Sequence, residues 1–262
     1  MMAPAAAFFI AFWLLPMARL VGVGASGSQG MGAYWSVLTN QNYLTSLIYT
    51  FVLSALVTFA TLIISCIAGL FLQRNRFPGH SLLLAVLTFP LAFPGVVVGF
   101  LIILLCGRQG MVGEISKWLT GEKLVLAYSL AGLFLGYLYF SIPRVILTVM
   151  AAAEKLDYAL VEAARTLGAS PFQIVRDVTL PALGPALVSS GAICFATSVG
   201  AFGTAFTLAT NITVLPMLIY NEFTNYANIP VAAALSVVLG VITWAVLAGA
   251  RSLAGNTVTV AA

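Results

Sequence analysis

The sequence predicts an all-α fold, a polytopic membrane helix bundle with six transmembrane helices and a cytoplasmic helix-turn-helix loop. Of its 262 residues, 61% are hydrophobic and only 7% are charged, whereas soluble domains carry about 25% charged residues. Because lipid offers no partner to backbone polar groups, a spanning chain has to form helices or a closed barrel. The long apolar stretches favour helices, and since no linker divides them, we treat residues 1–262 as a single domain.

Six apolar stretches approach the length of about 20 residues that crosses a bilayer core. The first has no basic leader and no clear cleavage site, so we interpret it as a helix and not as a signal peptide. Two short amphipathic pieces, 113–119 and 215–223, are expected to lie along the outer surface. The predicted spans are Ala3–Gly24, Leu47–Leu72, Ser81–Cys106, Leu124–Val149, Pro181–Leu208 and Val231–Ala250.

Lysine and arginine are divided unevenly between the two sides of this predicted bundle. Six spans place both termini on one side, and the side richer in these residues is normally cytoplasmic. We therefore expect both termini and the loop at 150–180 to be cytoplasmic. The richer side carries Arg74, Arg76, Arg144, Lys155, Arg165, Arg176 and Arg251, and the other carries Arg19, Arg108, Lys117 and Lys123.

Several functions are disfavoured by the residues present. The net charge is +4, but the basic residues are scattered between apolar blocks, which argues against nucleic-acid binding. Cys66, Cys106 and Cys194 lie far apart and are expected to be packing residues, and His80 sits in a short loop without a ligand partner. We therefore predict neither a metal site nor a catalytic residue. The pattern at 22–27 resembles a dinucleotide fingerprint but follows no predicted strand.

The most charged part of the chain lies between the fourth and fifth predicted spans. Apolar residues at helical spacing predict an amphipathic helix at Leu156–Leu167, which Gly168 ends. Ser170 is expected to cap a second helix whose first residue is Pro171, because serine accepts at the N-cap and proline suits the first helical position. This second helix, Pro171–Val178, is predicted to continue until Pro181 opens the next span.

This segment resembles the EAA signature of the permease subunits of bacterial ABC importers. Glu162-Ala163-Ala164, Gly168 and Val178-Thr179-Leu180-Pro181 match it, with Val178 where isoleucine is commoner. The resemblance implies a cytoplasmic loop that contacts a separate ATPase, with Glu162 facing a basic partner. The residues assigned to this ATPase-coupling loop are Glu162, Ala163, Ala164, Gly168, Pro171, Leu180 and Pro181.

The same resemblance implies partners, location and cofactors. A permease of this family sits in the bacterial inner membrane and forms half of a solute pathway with a second permease, identical or homologous. It works with two nucleotide-binding subunits and a periplasmic or surface-anchored solute-binding protein. ATP and magnesium would bind to the ATPase, and this chain would bind no cofactor. It carries no P-loop pattern, so we do not expect it to be an enzyme.

Polar and helix-breaking residues within the spans are candidates for the pathway. Ser189, Ser190, Thr197 and Ser198 interrupt the fifth span, and Pro90 and Pro94 interrupt the third. Polar contacts between helices are the alternative interpretation. An outer cluster of Asn211, Tyr220, Asn221 and Glu222 lies where a binding protein would dock. Glu222 would attract a cationic substrate, or it is an ordinary solvated carboxylate.

The solute is predicted only by analogy. The run at 215–220 and the compact layout look most like importers of polyamines, ferric iron or phosphonates, and we favour a polyamine. A membrane-embedded enzyme would need a cluster of acids or histidines, which we do not find. A channel or secondary carrier would more often show inverted repeats and a charge within a span. The second, third, fifth and sixth predicted spans carry no internal charge.

Overall fold

The computed structural model describes residues 3–27, 30–208 and 212–258, and their regular secondary structure is helical. Six helices within these residues are long and apolar enough to cross a membrane, which confirms the predicted fold class and number of spans. We refer to them as the first to sixth spans. Their bounds are Pro4–Gly24, Gln41–Arg74, Gly95–Thr120, Leu130–Ala153, Pro171–Val199 and Ile229–Ser252.

The prediction of one unbroken third span at Ser81–Cys106 is wrong. A helix at His80–Thr88 is followed by a 3-10 turn at Phe89–Ala92, and a new helix begins at Gly95. Phe93 adopts an extended backbone with ψ of 132°, because the ring of the following proline excludes the helical region. After Cys106 and a turn, the third span continues in a helix at Met111–Thr120, which contains the predicted piece at 113–119.

The fifth span also differs from its predicted bounds, Pro181–Leu208, at both ends. It begins at Pro171 and ends at Val199, and a separate helix follows at Phe202–Leu208. This short helix packs against the helix that begins at Gly95. A Cβ added to Gly203 would lie 2.9 Å from the backbone nitrogen of Val96, so the two helices approach too closely for a side chain there.

Two spans contain a π-helical turn directly before a proline. The N–H of Leu15 donates to the carbonyl of Ile10, and the N–H of Leu180 donates to that of Val175, so each bond spans five residues. The next residue in each case is a proline, which has no N–H and whose ring clashes with the carbonyl four residues earlier. The wider turn removes this clash, and both helices therefore continue through their prolines.

The single-domain organisation stays a prediction, and the described residues cluster into two compact units. The first unit comprises 1–52 and 211–245. Within it, the helices at Gly32–Thr39 and Leu215–Tyr220 share an apolar core with the sixth span. Its buried members are Ala33, Val37, Leu215, Leu218, Ala234 and Leu235.

The described residues of the second unit lie within 53–210 and 246–262 and include the whole of the third, fourth and fifth spans. Gly69 lies so close to the fourth span that an added Cβ would be 2.9 Å from a methyl carbon of Val149. His80 is not in a loop as predicted, but is the first residue of a helix. Its ring is buried, with Nε2 2.8 Å from the carbonyl oxygen of Leu72.

Candidate functional site

The polar segment at 154–180, which we call the elbow, follows the fourth span and includes the first ten residues of the fifth. Its first helix, Tyr158–Thr166, lies within the predicted Leu156–Leu167. Asp157 caps this helix by accepting a hydrogen bond from the N–H of Ala159 at 2.9 Å. Tyr158 then donates through its hydroxyl to the side-chain oxygen of Gln73 at 2.6 Å, which ties the elbow to the end of the second span.

Gly168 makes the turn between the two elbow helices, as the sequence predicts. Its φ is +83°, a backbone conformation that residues with a Cβ seldom adopt. The N–H of Ala169 donates to the carbonyl of Ala164, and that of Gly168 donates to Arg165, both at 3.0 Å. These bonds satisfy the last carbonyls of the first helix, so the turn has one defined geometry.

The second elbow helix starts at the predicted cap. Ser170 accepts from the backbone N–H of Gln173 at 3.4 Å, and the Gln173 side chain accepts from the N–H of Ser170 at 2.7 Å. This reciprocal pair is a capping box, and Pro171 occupies the first helical position. The predicted end of this helix at Val178 is wrong, because the π turn before Pro181 lets it continue into the fifth span.

The elbow is anchored by a few buried side chains. Val161 of its first helix and Ile174 of its second are each 6% exposed, and the two helices pack against each other. Thr179 is buried, and its hydroxyl has no hydrogen-bond partner among the described residues. The elbow therefore belongs to the second unit and contributes its own buried side chains to it.

The exposed surface of the elbow carries both charged and apolar side chains. Leu167 is 87% exposed and Phe172 is 73% exposed, on either side of the turn at Gly168. Glu162 and Arg165 are also exposed, and within the described residues neither forms an ion pair. Large apolar side chains gathered on a polar surface are typical of a protein interaction site.

A cavity of about 520 Å³ lies between the elbow and the adjoining ends of the fourth and fifth spans. Lys155 and Asp157 contribute its charged atoms, and Leu160 and Val161 line it from the first elbow helix. Thr179 also borders it. The fifth span has open space beside its first turns.

A second cavity, of about 270 Å³, brings together two of the predicted pathway residues, Pro90 and Thr197. Pro94 directly precedes the helix that borders this cavity. The three predicted serines do not line this cavity. Ser189 is exposed, whereas Ser190 and Ser198 are buried against other parts of the chain. Their role as pathway lining stays a prediction.

Arg144 is a site residue that sequence reasoning missed. We counted it with the basic residues at the membrane surface, but it lies inside the fourth span, Leu130–Ala153, and lines the second cavity. A signal was available in the sequence, because Arg144 falls within the predicted span Leu124–Val149. An ionisable residue inside a span usually has a function.

The outer cluster is built differently from the prediction. Glu222 is not a solvated carboxylate but is 7% exposed. Its carboxylate accepts hydrogen bonds from the hydroxyl of Tyr43 at 3.0 Å and from the amide of Asn228 at 3.2 Å. Tyr220 and Asn221 are half-buried, and Asn211 lies outside the described residues. The contact with a binding protein stays a prediction.

Six apolar spans with one polar elbow between the fourth and fifth define a polytopic membrane protein. Residues 62–255 match the model of a family described as "Binding-protein-dependent transport system inner membrane component", and the chain belongs to that family. It is a multi-pass inner-membrane protein and the permease subunit of an ABC import system, as the resemblance implied.

Named relatives agree with this membership, and a solved structure shares the fold. The chain is 32% identical over 230 residues to the sulfate transport system permease protein CysT of Escherichia coli K12, covering 86% of this chain and 81% of that protein. It is 34% identical over 179 residues to the molybdenum transport system permease protein ModB of the same organism, covering 68% and 73%. A bacterial alginate ABC transporter, solved with an alginate pentasaccharide-bound periplasmic protein, matches the fold with a TM-score of 0.83 at 17% identity, covering 97% and 92%.

The prediction of a polyamine gains no support from these comparisons. The relatives named above are permeases of sulfate and molybdenum transport systems and not of a polyamine transport system.

Proposed function

We propose that this chain forms half of an import pathway for a small oxyanion, and that its elbow docks a separate ATPase on the cytoplasmic side. The observation that carries the docking proposal is the pair of exposed apolar side chains, Leu167 and Phe172, on a turn fixed by Gly168 and the capping box. Leaving such side chains in water is unfavourable unless a partner covers them. The carboxylate of Glu162 then pairs with a basic group of the ATPase.

The distribution of basic residues supports a cytoplasmic elbow. The hydrogen bond from Tyr158 to Gln73 holds the elbow beside the loop that follows the second span. Arg74 ends that span, Arg76 lies in the loop, and the elbow adds its own lysine and arginines, so these basic residues share one side. Under the positive-inside rule this side is cytoplasmic, and both termini lie there as well.

The solute class rests on the names of the relatives. The similar permeases are named for sulfate and molybdenum transport, and both sulfate and molybdate are tetrahedral dianions. Phosphonate, an alternative in our sequence analysis, shares this chemistry. The complete importer would contain a second permease, two ATPase subunits that bind ATP and magnesium, and a solute-binding protein. This chain would bind no cofactor of its own.

The docking proposal is tested in the assembled complex by comparing Glu162→Lys with a matched charge reversal, Glu122→Lys. Glu122 is also exposed but lies at the opposite end of the fourth span. We expect Glu162→Lys to lower the amount of ATPase that copurifies and the ATP hydrolysis that the loaded binding protein stimulates. Glu122→Lys should leave both unchanged. If Glu162→Lys also leaves both unchanged, the elbow does not have this role.

The solute is tested with the wild-type complex in proteoliposomes that contain ATP. Uptake of radioactive sulfate or molybdate, in the presence of the solute-binding protein, is the expected result. If the proteoliposomes take up spermidine but neither sulfate nor molybdate, the oxyanion proposal is refuted and the polyamine prediction is supported. Neither result affects the docking test, because that test measures assembly and ATP hydrolysis.

A further inference from the structure

The cavity of about 270 Å³ holds an arginine at an unusual depth. Arg144 precedes the end of the fourth span, Ala153, by nine residues, which corresponds to about 14 Å along a helix. Arginine inside a span is costly, and such residues usually face a water-filled cavity or a pathway. Arg144 fits this rule, because it is exposed and lines the cavity.

The guanidinium of Arg144 has no counter-ion in the part of the chain that the structure describes. The ion pairs there are Lys123 with Glu114 and Arg176 with Asp177. The other atoms that border the cavity belong to uncharged residues, such as Phe93, Phe140 and Thr204. The cavity therefore carries one uncompensated positive charge, which favours an anion.

The neighbouring threonine hydroxyls are already used as donors. Thr204 donates to the carbonyl of Gly95 at 3.0 Å, and Thr197 donates to carbonyls of its own helix. Hydrogen-bond donors for a ligand therefore come mainly from Arg144, whose guanidinium has five N–H groups in a planar fork that suits oxyanions. Gly95 also borders the cavity and begins a 12-residue helix, whose amino end adds a favourable partial charge.

The backbone around the cavity is interrupted in two places. The 3-10 turn at Phe89–Ala92 lies on one side, and the break after Val199 lies on the other. Irregular backbone at membrane depth is tolerated where it lines a cavity, and transporters bind their solutes at such breaks. The volume is below the range of about 300–1,000 Å³ that accommodates drug-sized ligands, so it suits a small ion.

We infer that Arg144 is the anion-recognition residue of an oxyanion site inside the membrane-spanning part of this permease. The cavity between Pro90, Arg144 and Thr197 receives the tetrahedral anion during transport, and the guanidinium replaces part of its hydration shell. The identity of the anion rests on the proposed function, whereas the preference of the cavity for negative charge does not.

The charge preference is tested with a Thr197→Cys variant in the full complex, after Cys66, Cys106 and Cys194 are replaced by alanine. The introduced thiol is treated during ATP turnover with two methanethiosulfonate reagents, one carrying a sulfonate and the other a quaternary ammonium group. We expect the sulfonate reagent to react about tenfold faster, relative to their rates with a free thiol, because one unit charge lies nearby.

Adding Arg144→Gln should abolish this preference, and adding Arg144→Lys should retain it. Arg76→Gln, which removes a positive charge from an exposed loop residue, is the matched control and should leave the preference intact. Equal relative rates with Arg144 present would overturn the inference. A thiol that reacts with neither reagent during turnover would also overturn it, because a solute site has to open to water.

Uptake separates this inference from the proposed function. In proteoliposomes, Arg144→Gln should lower sulfate or molybdate uptake by about tenfold to a hundredfold, the range for losing hydrogen bonds to a charged group. ATPase copurification should be unchanged, since the elbow is intact. If the wild type imports an oxyanion and Arg144→Gln imports it equally well, the site is wrong and the proposed function stands. If the wild type imports no oxyanion, the proposed solute is wrong.

Discussion

Replacing Gly168 by alanine should weaken docking of the ATPase by about fivefold to thirtyfold. The φ of Gly168 is +83°, and residues with a Cβ pay about 1–2 kcal/mol for this conformation. No described atom lies within 4 Å of an added Cβ, so the cost comes from the backbone and not from a clash. A cost of 1–2 kcal/mol lowers the population of the docking-ready turn by about the stated factor.

The assay is titration of the ATPase subunit against the purified permease in lipid nanodiscs, followed by solute-linked ATP hydrolysis. Gly121→Ala is the matched control, because Gly121 has a φ of +79° and also no described atom within 4 Å of an added Cβ. Gly121 lies at the opposite end of the fourth span, so its substitution strains the backbone equally without touching the elbow. Gly168→Asn should be milder than Gly168→Ala, since asparagine tolerates positive φ better.

Two results would refute this reasoning. Unchanged ATPase affinity in Gly168→Ala would show that the turn geometry does not limit docking. An equal loss of affinity in Gly121→Ala would show that general destabilisation, and not the elbow, causes the effect.

Two further substitutions test the packing of the spans through the thermal unfolding midpoint of the purified complex. Gly69→Ala should lower stability by about 1–3 kcal/mol, because the added Cβ would lie 2.9 Å from a valine methyl of the fourth span. Gly184→Ala should not lower stability, since no described atom lies within 4 Å of its added Cβ. Tyr43→Phe should cost about 1.5–3 kcal/mol, because it removes a hydrogen bond to the buried carboxylate of Glu222. Tyr49→Phe, at an exposed position of the same helix, should leave the midpoint unchanged. Equal midpoints for the two glycine variants, or for the two tyrosine variants, would contradict the packing described.

The elbow was predictable because local chemistry determines it. Gly168, Ser170 and Pro171 each suit one backbone position within a few residues, and the structure places all three as expected. Positive φ, side-chain capping and a fixed proline φ act over a single helical turn. Tertiary contacts anchor this geometry without changing it.

The interruptions of the third and fifth predicted spans were not predictable from hydropathy. Average hydrophobicity continues through Pro90 and Pro94, although the backbone cannot remain helical at Phe93. The break after Val199 follows from a long-range contact, since the helix at Phe202–Leu208 packs closely on the one that begins at Gly95. The lengths of the apolar stretches therefore predict the number of spans, but they do not predict the positions at which the helices break.

The environments of Glu222 and Arg144 also required the structure. Glu222 is buried because Tyr43, 179 residues away in sequence, donates to it. Nothing near Glu222 in the sequence indicates that partner. Arg144 was assigned to the membrane surface because counting basic residues at span ends takes no account of their depth. Its contact with the cavity depends on residues from three other helices and from the 3-10 turn.

The Leu180-Pro181 pair that completes the family signature makes the start of the fifth span easier to bend. Pro181 and Pro185 have no N–H, so the fifth span lacks two backbone hydrogen bonds near the elbow. The cavity of about 520 Å³ lies beside this same segment, so bending there meets little steric resistance. The helix continues beyond these prolines as far as Thr197. At 1.5 Å per residue, Thr197 lies about 35 Å along the helix from Ile174 of the elbow. We therefore expect a movement imposed on the elbow to change the angle of the helix at these prolines, and so to displace Thr197 in the wall of the cavity that contains Arg144.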